Sequence, residues 1–195
     1  LNYLGHLYFS KDNLALQLAN IYGDFVKGRD YSYLPKVVQN GVTLHRKIDD
    51  YVDHHPDVVE LRRSLYEDLP KIAGIAIDLY FDHLLAIHWQ QYHSEPFNDF
   101  VNRFTKYAIQ TQSHSFKNHS FTYPNDFIHL MNLIHEQKWI QGYKSLEGMN
   151  KAATGLSKRI SFKNNLFESA RVYTKYEEEI TNTFHNYMKD AKVTF

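Results

Sequence analysis

The sequence predicts an all-α fold, a single-domain bundle of about seven or eight helices. Three observations lead there. Apolar residues recur at spacings of three and four through most of the 195 residues. No segment of useful length alternates with the period of a strand. Proline and glycine fall where helices start and stop rather than inside them. The chain carries no repeat, low-complexity tract or Gly/Ser/Pro linker, and is long enough to bury one full core.

Taken in order, Asp12 is placed to cap a helix running to about Lys27, closed by Gly28 at the C′ position. Tyr31 to Leu34 reads as a loop ending at Pro35, which starts the next helix. There Val38, Val42, His45, Asp49 and Val52 form one stripe, apolar at both ends and ionisable in the middle. Pro56 ends that helix near His54 or His55. A helix from about Val58 to Tyr66 follows, then a long apolar one from about Lys71 to Tyr92. Ser94-Glu95-Pro96 opens a helix with Phe97, Phe100, Val101, Phe104, Tyr107 and Ala108 on its inner face. Gln110 to Phe121 reads as the least ordered part. Pro124 begins a helix burying Phe127, Leu130, Met131 and Ile134. Short helices are expected around Lys138 to Tyr143 and Leu146 to Thr154, and a long one from about Asn165 to Lys189.

Lys plus Arg equals Asp plus Glu at 22 each, so no global field points to nucleic acid or a membrane surface. The absence of cysteine excludes disulfides, zinc–thiolate sites and cysteine nucleophiles. The N-terminus lacks the basic and apolar regions of a signal peptide, and the cytoplasm is the expected compartment. The apolar run from Ile72 to Trp89 approaches spanning length, but its two Asp and two His argue against a membrane helix. No phosphate loop, dinucleotide fingerprint, G-x-S-x-G or H-E-x-x-H motif is present.

Charge appears where periodicity calls for core at Asp24, at His45 and Asp49, at Asp78 and Asp82, and at His83. Carboxylates in apolar surroundings are costly unless a cation or strong donors compensate them. Carboxylates and imidazoles converging from several helices are how a bundle interior holds a metal. A divalent ion would remove the burial penalty, lower the pKa of a bound water and polarise a phosphoryl oxygen. Oxygen and imidazole donors favour manganese, magnesium, iron or zinc. Arg46 suits bidentate contact with a phosphate. The structural alternatives are definite. Asp24 could brace a helix end, His45 and Asp49 could be a surface polar pair, and Asp82 with His83 could pair with Arg62 or Arg63. His6 is open as core or site. The remaining histidines read as surface or packing residues, and Trp89 and Trp139 as core anchors.

The segments LNYLGHLYFS, ANIYGDFVKG, GVTLHRKIDDYVDHHPDV and DLYFDHLLAIHW, with EGMNKAATGLSKR near the C-terminus, resemble in order and spacing the bacterial acyl carrier protein phosphodiesterase family. The resemblance implies an all-α fold distantly related to HD-type phosphohydrolases. It implies a divalent-metal-dependent hydrolase, typically using manganese, that removes the 4′-phosphopantetheine arm from holo acyl carrier protein. Matched motif by motif, the functional positions it implies are Asp24, His45, Arg46, Asp49, Asp78, Asp82 and His83, with His6 joining the metal candidates Asp24, His45 and Asp78. Arg46, Asp49, Asp82 and His83 are then the catalytic candidates. The carrier is acidic, so a basic rim is expected among Arg29, Arg46, Lys47, Arg62, Arg63, Lys158, Arg159 and Lys163. Two other readings stand beside it: a phosphohydrolase acting on a nucleotide or other small phosphodiester, and a non-catalytic helical module that binds carrier protein.

Overall fold

The structure is a computed structural model and describes residues 1–116 and 119–195. In chain order it contains α1 (Tyr3–Phe9), α2 (Leu14–Ile21), a 3₁₀ turn (Tyr22–Phe25), α3 (Lys36–His54), α4 (Pro56–Ser64), α5 (Ala73–Ile87) and α6 (Trp89–Tyr92). Then come α7 (Phe97–Gln110), a hairpin of β1 (Ser113–Phe116) and β2 (His119–Thr122), α8 (Asn125–Glu136) and α9 (Trp139–Gly142). The chain ends with α10 (Leu146–Ser157), a second 3₁₀ turn (Leu166–Glu168), α11 (Ser169–Lys175) and α12 (Glu177–Thr194).

The all-α class holds, but the described residues form more helices than expected because the long ones are broken. The helix expected to reach Lys27 stops at Ile21 and tightens into the 3₁₀ turn. The one expected over residues 71–92 is interrupted at His88, and the C-terminal one at Tyr176. Neither residue is Gly or Pro; each sits near ψ = 0, with backbone angles of −96°, 14° and −117°, 21°, so no breaker marks the kink. Asn13, not Asp12, caps α2 by accepting the Leu16 N–H at 3.0 Å. Asp12 pairs with Arg103 instead, at 2.9 Å. The antiparallel hairpin, with Ser113 opposite Thr122, corrects the strand-free expectation. Its strands are four residues each, too short for a period-2 signal. Residues 117 and 118, within the segment read as least ordered, lie outside the described ones.

Pro35 opens α3 as expected, and Pro56, expected to end that helix, also opens α4, two residues ahead of the expected start at Val58. The buried apolar side chains form one cluster with α5 inside it. Ala76, Leu79, Tyr80, Phe81 and Ala86 are all fully buried, because this helix is apolar all round and is covered by α1, α4, α10 and α12. The α2–α3 crossing is equally tight. A Cβ on Gly41 would lie 2.4 Å from the Ala19 carbonyl carbon, so only glycine lets these backbones meet. That contact carries the 3₁₀ turn, with Asp24, onto α3. Among the described residues, no helix is long and apolar enough to cross a membrane.

Candidate metal centre and active site

Three elements bring the site together. The stripe along α3 turns His45 and Asp49 to one face. The 3₁₀ turn after α2 presents Asp24. The short helix α1 delivers His6 and is pinned at both ends. Asn20 on α2 donates to the His6 carbonyl at 3.0 Å and to Ser10 Oγ at 2.8 Å. At the other end, Asp82 receives the Leu4 and Gly5 N–H groups at 2.7 and 2.9 Å.

The result is a cluster of donors. His45 Nε2 lies 3.2 Å from Asp24 Oδ1 and 3.1 Å from Asp49 Oδ2. His6 Nε2 lies 3.2 Å from Asp49 Oδ1 and 3.1 Å from the Leu1 carbonyl. The two imidazoles stack with ring centroids 4.2 Å apart. Ligand atoms of His6, His45 and Asp49 all fall within 4.8 Å of one another, a nitrogen and oxygen set suited to a divalent ion. Each ring leaves Nδ1 buried without a protein partner, so packing fixes ring orientation. For His45 the packing surface is Gly23, where a Cβ would stand 2.4 Å from the ring. Gly23→Ala is therefore expected to displace His45 from Asp24 and Asp49 and so to lower its imidazole pKa from about 9 toward the ordinary value. An NMR titration of the histidines would read this directly, and an unchanged His45 titration would show that Gly23 does not set the ring's position.

The charges around the cluster are strongly coupled. Burial alone would lower the pKa of His45, but hydrogen bonds and charge from Asp24 and Asp49 outweigh it and raise the value to about 9. Burial disfavours the Asp49 carboxylate, yet both histidines hold it well below the usual carboxylate range. Asp24 is depressed too, its own desolvation being outweighed by His45. His6 is lowered by burial, against the pull of Asp49.

The cluster opens into a pocket of about 290 Å³ whose walls include Asp53, Ile75, Asp78 and Leu156. Asp78 sits across from the histidines, its Oδ1 3.0 Å from the backbone nitrogen of Leu1. Desolvation pushes its carboxyl up against the opposing pull of the Leu1 amine, and the charges of Asp49 and Asp53 add to the rise.

A model of acyl carrier protein phosphodiesterases matches residues 1–191. The chain belongs to this family. Proteins named acyl carrier protein phosphodiesterase from Shigella boydii and Escherichia coli are 27% identical over 160 residues, covering 82% of this chain and 79% of theirs. One of the same name from Salmonella agona is 26% identical over the same span. No solved structure matches the chain.

In this acyl carrier protein phosphodiesterase family member, the other candidate residues lie off the pocket. Asp82 is fully buried, and both its oxygens are taken by the start of α1. Burial pushes its carboxyl up to about 7, against those two donors. His83, about 100° further round α5, turns to a different side, with Nδ1 2.6 Å from the Tyr143 carbonyl. Neither meets Arg62 or Arg63, which pair with Asp53 and Glu60. Arg46 donates to the Val26 and Gly28 carbonyls at 3.0 and 2.7 Å, stacked over Tyr31. It staples the loop following Asp24. Asp53 is the pocket residue that sequence reading passed over. Its signal was its place one turn beyond Asp49 on the same stripe.

Proposed function

We propose that the chain hydrolyses the phosphodiester joining 4′-phosphopantetheine to the serine of holo acyl carrier protein, using a divalent ion, with manganese expected. The observation that carries this reading is the convergence of two imidazole Nε2 atoms on the Asp49 carboxylate at the floor of an open pocket, in a chain of this family. His6, His45 and Asp49 would hold the ion, with Asp24 beside them. Such an ion supplies Lewis-acid stabilisation of phosphoryl charge and a more acidic water.

The remaining steps fall to the chain's own groups. A water oxygen bonds to phosphorus and gives up one proton to solvent, the phosphorus–serine oxygen bond breaks with its electron pair on oxygen, and the serine oxygen takes up a proton. Asp78 faces the pocket with a raised pKa and is our candidate to supply that proton. Asp82 and His83 then act as positioning residues, Asp82 by fixing the helix that carries His6. Arg46 holds the loop beside Asp24 rather than the phosphate.

Mass spectrometry of holo carrier protein incubated with the enzyme tests the reading. Loss of the arm with manganese, and none with chelator, is the expected pair of results. Hydrolysis of small diesters with indifference to holo carrier would replace it with the small-phosphodiester reading. A folded, manganese-loaded protein that turns over neither would leave a binding module.

A further inference from the structure

Beside the reactive pocket lies a second trough of about 330 Å³ that shares Asp53, Ile75 and Asp78 with it. It is also lined by Ala73 and Gly74, in the first turn of α5, and by Tyr66 and Lys71. A Cβ on Gly74 would meet nothing within 4 Å, so the space above this turn is open. Arg62 is neutralised by Asp53, 3.6 Å away. Among the described residues lining the trough, Lys71 is therefore the one cation without an ion pair, and the trough carries little net charge.

Another part of the pocket differs. There Leu156 forms the wall near the end of α10. Lys158, Arg159 and Lys163 follow it in sequence and, among the described residues, make no ion pair. The pocket is thus flanked by a nearly neutral trough and a basic edge.

Resting on the function proposed above, we infer that the trough beside α5 seats the pantetheine arm, while the carrier protein docks on the α10 edge. The two halves of the substrate divide along the same line. The carrier is acidic and suits the basic edge. The arm is neutral, with a gem-dimethyl carbon close to the phosphate and two amides beyond it. Ile75, on the shared wall, suits the dimethyl group. Tyr66 Oη and Lys71 Nζ are donors for the amide carbonyls. Contacts to this remote part of the substrate would hold the phosphorus over the Asp49 cluster.

The test compares binding of 4′-phosphopantetheine with binding of inorganic phosphate, by calorimetry on the manganese-loaded protein. Phosphate reads the pocket alone and serves as the internal reference. Wild type is expected to prefer phosphopantetheine by roughly tenfold, and Gly74→Leu to bring that ratio close to one. Leucine is a better helix former than glycine and enters open space, so misfolding does not excuse a negative result; a thermal melt verifies it. A preference surviving in Gly74→Leu would place the arm elsewhere and overturn the inference, even with wild type still releasing the arm from holo carrier. Wild type that neither prefers phosphopantetheine nor releases it would overturn the underlying function as well.

Discussion

Asp49→Ala is expected to lower kcat/KM for arm release by about a thousandfold or more, with the helical fold retained. Asp49 is the carboxylate in contact with both imidazoles, at 3.1 and 3.2 Å. Without it, His6 and His45 face the pocket with no shared anionic partner. Its side chain is 42% exposed, so truncation opens no core cavity and circular dichroism should be unchanged. Asp49→Asn keeps the shape and removes the charge, and is expected to fall with the alanine variant. Near-wild-type arm release by either variant would exclude Asp49 as a ligand.

The same cluster fixes a pH dependence. The folded pKa of His45, about 9, lies above its ordinary 6.5. Its ion pairs therefore stabilise the metal-free protein fully below about pH 6.5, and that contribution is lost as pH rises through 9. Metal binding runs the other way, because a ligating imidazole must be neutral. Apparent manganese affinity should rise with pH up to about 9, with about one proton released per ion near neutrality. Calorimetry in buffers of different ionisation enthalpy measures that proton, and a pH-independent affinity would remove His45 from the ligand set.

Much of this cluster was legible in the chain. Val38, Val42, His45 and Val52 of the stripe became the buried face of α3, with Asp49 half-exposed beside His45 at the pocket. Asp24 stood out as an acid in an apolar segment, and the turn holding it does meet His45. The α5 residues were harder to read. Asp78 and Asp82 share a helix face by spacing, yet one opens on the pocket and the other lies under α1. In a helix apolar on every side no polar face marks the outside, so spacing tells which residues align but not what covers them. The cover here is α1, a seven-residue helix too short to announce itself by periodicity.

That cover gives the second large effect. Asp82→Ala is expected to cost about 2–4 kcal/mol of stability, read from the urea midpoint of the metal-free protein. The carboxylate accepts two N–H groups at the start of α1, at 2.7 and 2.9 Å, where an anion also faces the positive end of the helix. Alanine leaves both donors buried without a partner, and a buried polar group left unpaired costs more than the bond was worth. Asp82→Asn retains one acceptor but turns an amide N–H₂ toward the other donor, so it should lie between wild type and alanine. The consequence for function runs through His6. With α1 loosened, its imidazole no longer holds its place against Asp49, and manganese affinity should fall in step with stability across the three proteins. If Asp82 instead took part directly in proton transfer, Asp82→Asn would lose arm release while keeping wild-type manganese affinity and near-wild-type stability. The two roles therefore separate on whether metal binding or turnover alone follows the carboxylate.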